Sequence, residues 1–120
     1  MKIYFGHSSS IDYNKLYSVI KSCELNHEIV LPHEHSKDPF LSKDLMKSFN
    51  LFVAEVSSPS TGLGIELAWA NDVGVPVVFF YKKGSKLSDC LKMISNKFVE
   101  YSDDVDFKEK LVSFIGQLLL

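Results

Sequence analysis

A chain of 120 residues with 46% hydrophobic residues, 23% charged residues and a formal charge of −2 has an ordinary globular composition and offers no general nucleic-acid-binding surface. That length implies one domain, 1–120, which buries roughly two-thirds of its unfolded surface without needing a disulfide or metal. All 13 basic residues are lysine, so a phosphate or carboxylate has no planar bidentate fork to meet.

The two cysteines, Cys23 and Cys90, form no CxxC pair, which fits a reducing compartment and two buried thiols. The amino terminus turns polar at once and no apolar run reaches membrane-spanning length. The expected location is therefore cytoplasmic, with no membrane partner.

Along the chain, short β-rich runs alternate with helical periodicity, the pattern of a parallel sheet wrapped by crossover helices. Lys2 to Phe5 reads as the first strand. Leu16, Val19, Ile20 and Cys23 then give a first helix its buried stripe. Glu28 to Leu31 is a short second strand stopped by Pro32. Leu41, Leu45 and Phe49 form the ladder of a second helix solvated by Lys37, Lys43 and Lys47, and Leu51 to Val56 is the third strand.

After a small-residue loop, Ile65, Ala68, Trp69 and Val73 are predicted to cover one side of a third helix closed by Gly74. Val77 to Tyr81, nearly all apolar, belongs inside the sheet. Leu87, Cys90, Leu91 and Ile94 predict a fourth helix, Phe98 to Tyr101 an edge strand, and Phe107, Leu111, Phe114, Ile115 and Leu118 a last helix. Its apolar end, Leu118 to Leu120, suits either the core or a partner subunit. Five strands and five helices in alternation define a single-domain α/β fold, a doubly wound five-stranded parallel sheet of flavodoxin-like, Rossmann-like type with order 2-1-3-4-5.

In such a sheet ligands sit beyond the carboxyl ends of the strands, at the switch point between strands one and three. Two loops meet there, Gly6-His7-Ser8-Ser9-Ser10 and Ser57 to Gly62, both rich in hydroxyls and both followed by helix N-termini with free N–H groups. Gly62 and Gly64 are expected to let the backbone take conformations closed to other residues at a crowded helix start. Glu66 is thereby presented to the cleft. Serines, glycines, helix N-termini and one carboxylate suit a phosphorylated sugar.

The run Val53-Ala54-Glu55-Val56, then Pro59-Ser60, then Gly62-Leu63-Gly64-Ile65-Glu66-Leu67, resembles the signature of the nucleoside 2-deoxyribosyltransferase superfamily, and most of all its 2′-deoxynucleoside 5′-monophosphate N-glycosidases. The resemblance extends to Lys2-Ile3-Tyr4-Phe5-Gly6 and to Leu87-Ser88. It implies that Glu66 is the nucleophile that attacks the anomeric carbon, that Tyr4 stands beside it, and that Ser60 and Gly62 touch phosphate and sugar. It also implies that Ser88 reaches the neighbouring subunit's site in a homodimer, and that no metal or cofactor is needed.

Asp44 resembles the aspartate that helps protonate the leaving base. By periodicity it adjoins Leu41 and Leu45 at the border of a buried stripe. Retaining chemistry would place its carboxyl about 5 to 5.5 Å from that of Glu66. The chain departs from the nucleotide hydrolases in the loop after strand one, which holds His7 to Ser10 where they carry an arginine. A protonated His7 or a lysine is the expected substitute.

Each feature also has a plainer reading. Glu66 at a helix start is favourable with the macrodipole alone, Ser9 and Asp12 have capping-box spacing, and His33 and His35 are surface loop residues before they are ligands, although His33 is a candidate for the base pocket. The expected function is N-glycosidic hydrolysis of a small-molecule (deoxy)nucleoside 5′-monophosphate, with base transfer or a non-catalytic nucleotide-binding module as alternatives. A flavin-binding or receiver domain of the same topology is weaker: a receiver needs an acidic cluster after strand one, where this chain has Gly6-His7-Ser8, and flavin would show as a yellow colour on purification.

Overall fold

The computed structural model describes residues 1–36 and 43–119. Five strands, β1 (Lys2–His7), β2 (Glu28–Val30), β3 (Leu51–Glu55), β4 (Val77–Lys82) and β5 (Phe98–Tyr101), form one all-parallel sheet of order β2-β1-β3-β4-β5. The predicted architecture and strand order are those observed. Strands β1, β3 and β4 are paired on both sides, and their Ile, Val and Phe side chains pack above and below the sheet.

Helices α1 (Tyr13–Ser22) and α3 (Asp104–Leu118) cover one face, where Ile3, Phe5, Val53, Val78 and Phe80 meet Tyr17, Ile20, Phe107, Leu111 and Ile115. On the other face α2 (Thr61–Val73) packs over Tyr4, Phe52, Ala54 and Phe79. Local chemistry sets the helix ends. Asp12, Ser60 and Asp103 accept N–H groups of the first turns, and Gly74, at φ +77°, closes α2 in the left-handed region that glycine enters without a Cβ penalty. The cap of α1 is thus Asp12 and not Ser9.

Three expectations are overturned. The second and fourth helices are 3₁₀ segments, Lys43–Ser48 and Asp89–Met93. Met46 in the first of these and Phe49 just after it are buried three residues apart, the 3₁₀ repeat, while Leu45 is 45% exposed. Leu41 and Lys37, assigned to that helix, lie outside the described residues. In the second, the Ser88 hydroxyl accepts from the N–H of Cys90 and tightens the turn.

Helix α2 buries Leu63, Leu67 and Ala70 rather than the face carrying Ile65 and Val73, which are 47% and 45% exposed. That helix is apolar nearly all round, so periodicity alone does not choose its inner face. Cys90 is exposed and Cys23 only half-buried, so the thiols are not both core. Leu118 and Leu119 are exposed as well. Among the described residues no helix is long and apolar enough to cross a membrane.

Candidate functional site

Tyr4 lies on central strand β1 and is fully buried. Its ring stacks on Phe49 at 4.9 Å and meets Phe52 edge-on at 5.0 Å. Those contacts hold the phenol on the α2 face of the sheet, where its hydroxyl donates to Oε2 of Glu66 on α2. The two residues proposed from sequence to stand together are in direct contact.

Close approach of α2 to β1 depends on Gly6. A Cβ there would fall 2.5 Å from the Phe52 ring and 2.9 Å from Leu63, so no other residue fits unless both side chains move. Gly62 and Gly64 behave otherwise than expected. Neither has positive φ, and an added Cβ would meet only Ser60 Oγ at 4.0 Å for Gly62 and nothing within 4 Å for Gly64. They leave open space at the start of α2 rather than relieving crowding.

The two loops at the switch point are joined by hydroxyls. Ser8 Oγ accepts from Ser10 N–H at 3.1 Å and lies 2.8 Å from Ser10 Oγ, which in turn lies 3.0 Å from Ser58 Oγ. Ser60 Oγ caps α2 by accepting from Leu63 N–H at 3.2 Å. Ser9 is exposed at the tip.

His7 does not take the place of an arginine. It is buried, and burial is the main cause holding its pKa below the ordinary 6.5, so at neutral pH the ring carries no charge. Its Nδ1–H donates to the Ser8 carbonyl at 2.9 Å, which leaves Nε2 to accept from the Tyr17 hydroxyl at 2.6 Å.

That hydroxyl also accepts the His33 N–H at 3.0 Å. Around it His7 stacks on Tyr13 at 5.2 Å, and His33 lies 5.5 Å from Tyr13 and 5.8 Å from His7. Burial pushes the Tyr17 phenol up to about 12, opposed by the His33 N–H and reinforced by negative charge that includes Glu66. The Tyr17 phenol therefore stays protonated and remains a donor to His7. Tyr13 and Tyr17 were absent from the sequence-derived site, although their spacing of one helical turn marked a shared face beside the loop.

Asp44 is exposed on the 3₁₀ segment that packs against α2. Since Leu45 faces outward, the buried stripe that Asp44 was expected to border is instead that of Met46 and Phe49.

Ser88 lies elsewhere. With Lys86, Leu91, Ser58, Ser60 and Gly64 it lines a cleft of about 400 Å³. At about 100° per residue, Gly64 and Glu66 project to opposite sides of the Leu63–Leu67 stripe of α2, so this cleft and the Tyr4–Glu66 pair flank the helix on different sides. Among the described residues no three His, Cys, Asp or Glu side chains converge as a metal site would require.

The fold and this placement define a doubly wound α/β protein with a tyrosine–glutamate pair and a hydroxyl-lined loop junction at its switch point. Among solved structures the chain is similar to a CMP N-glycosidase, BcmB, of Clostridium botulinum, with a TM-score of 0.69, 19% identity, and coverage of 95% of this chain and 99% of that one. It is also similar to a flavodoxin-like domain from a Synechococcus species, with a TM-score of 0.58 and 15% identity over 98% of each chain. At these identities the likeness shows the fold. No protein-family model and no curated protein matches the sequence.

Proposed function

We propose that the chain is an N-glycosidase of the nucleoside 2-deoxyribosyltransferase type that hydrolyses a (deoxy)nucleoside 5′-monophosphate to free base and sugar 5-phosphate. The observation that carries this reading is the hydrogen bond from Tyr4 to Glu66, on the helix that follows the switch-point loop. It supports a carboxylate held by a buried phenol where ligands of such sheets bind.

In this reading Glu66 attacks the anomeric carbon as the bond to the base breaks. The bonding pair leaves with the base nitrogen, which takes a proton from Asp44. Water, losing a proton to the Asp44 carboxylate, then displaces Glu66 from the same carbon and releases the sugar phosphate.

Ser8, Ser9, Ser10, Ser60 and Gly62 contact the sugar and phosphate, and the phosphate is met by hydroxyls and the first-turn N–H groups of α2 in the absence of any arginine. His33, with Tyr13 beside it, lines the base pocket. The chain acts as a homodimer in the cytoplasm, without cofactor, metal, nucleic-acid polymer or membrane. Because Ser88 lies across α2 from Glu66 of its own chain, it is assigned to the partner's site. The similarity to a CMP N-glycosidase makes CMP and dCMP the first substrates to try.

The test is incubation with each monophosphate, with and without a second free base, followed by chromatography. Free base and sugar phosphate in both arms support hydrolysis. A new nucleotide carrying the added base would assign transfer instead. Binding without turnover, unchanged in Glu66→Ala, would leave a non-catalytic nucleotide-binding module.

A further inference from the structure

Glu55, the last residue of β3, is 5% exposed, and its carboxylate has no ion pair among the described residues. A buried carboxylate without a cation persists only where donors replace its lost water. Three do so here. Oε1 accepts the Ser57 N–H at 2.6 Å, while Oε2 accepts the Ser57 hydroxyl at 3.0 Å and the hydroxyl of Tyr101. Ser57 Oγ in turn accepts the Lys82 N–H at 2.7 Å. One side chain thus ties the ends of β3, β4 and β5 to the first residue of the loop that leads into α2.

Downstream in that loop, Ser58 meets Ser10 across the switch point and Ser60 caps α2, six residues before Glu66. Burial, and after it the bond to Glu55, push the Tyr101 phenol pKa up, so Tyr101 stays a donor. Neither Glu55 nor Tyr101 faces the Tyr4–Glu66 pair. Both belong to the α1 and α3 side of the sheet, beside a cavity of about 210 Å³.

We propose that Glu55 is a positioning residue: through Ser57 and Tyr101 it holds the Ser57–Ser60 loop in the one arrangement that presents the loop hydroxyls and the α2 N-terminus to a ligand's phosphate. The loop-holding role stands on geometry alone, and only its consequence for phosphate rests on the function proposed above.

The test compares wild type with Glu55→Gln and with Tyr101→Phe, which removes one donor with almost no change of volume. Amide hydrogen exchange is the first measurement. Loop holding predicts that the hydrogen-bonded amides of Ser57, Leu63, Gly64 and Lys82 exchange at least about tenfold faster in both variants while α3 is unchanged. Exchange that is unaltered in the loop, or accelerated equally throughout, overturns the proposal; if Glu55→Gln does not fold, Tyr101→Phe decides alone.

The second measurement is KM for a nucleoside monophosphate against KM for the corresponding nucleoside. The expected result is a rise of about tenfold for the phosphorylated substrate only, and an equal effect on both substrates removes the link to phosphate. Wild type that turns over neither substrate refutes the glycosidase reading, and the exchange experiment still judges Glu55.

Discussion

The hydroxyl of Tyr4 donates to the carboxylate of Glu66 across 62 residues of sequence, from the third residue of a central strand to the middle of α2. The strand residue is fixed by aromatic packing, so the carboxylate is held by a group that cannot easily move. This pairing is the mechanical basis of the proposed chemistry.

Replacing Tyr4 by Phe keeps the ring and its packing but removes the donor. The expected result is a fall in kcat on the order of tenfold to a hundredfold, with about 1 kcal/mol of stability lost. Steady-state kinetics alongside thermal melts would separate the two effects, and an unchanged kcat would deny the hydroxyl a role.

The two carboxylates are predicted to differ when neutralised. Glu66→Gln should abolish turnover, by about a thousandfold or more, because no covalent bond can form. Asp44→Asn should slow substrates with poor leaving bases by roughly a hundredfold and good leaving groups far less. A series of substituted nucleotides measures this, and equal slowing across the series would remove Asp44 as the acid.

Glycines at the site are predicted to respond in opposite directions. Gly6→Ala forces a methyl into Phe52 and Leu63 and should cost about 1–3 kcal/mol. Gly64→Ala enters open space within a helix and should stabilise the fold by up to about 1 kcal/mol. Denaturant melts of the two variants check both signs.

Stability should fall on acidification through His7. Burial lowers its folded pKa below the ordinary 6.5, so below that pH the unfolded chain binds more protons than the folded one. Stability is therefore full above 6.5 and declines as pH falls toward the folded value. Thermal midpoints from about pH 8 to pH 5 should drop for wild type and run flatter for His7→Gln; parallel curves would show that His7 is not responsible.

How far the sequence could be read depended on whether a feature was local. Strands and their order followed from short apolar runs between turn residues, and Tyr4 and Glu66 stood out within their motifs. The inner face of α2 did not, because Leu63 and Leu67 compete with Ile65 and Trp69 for it. The segments containing Met46 and Leu91 carry apolar spacings that suit a 3₁₀ turn as well as a helix. Glu55 looked like one more residue of a strand motif until Tyr101, 46 residues away, was found bonded to it. His7 looked like a charge in a ligand loop until its burial against Tyr17 showed a neutral ring.

The central claim is that the Glu66 carboxylate becomes bonded to the sugar. Peptide mapping by mass spectrometry after quenching with a 2′-fluorinated nucleoside monophosphate, whose intermediate breaks down slowly, addresses this directly. The account predicts an added sugar phosphate on the peptide bearing Glu66 and none in Glu66→Gln. Turnover without an adduct, undiminished in that variant, would contradict it.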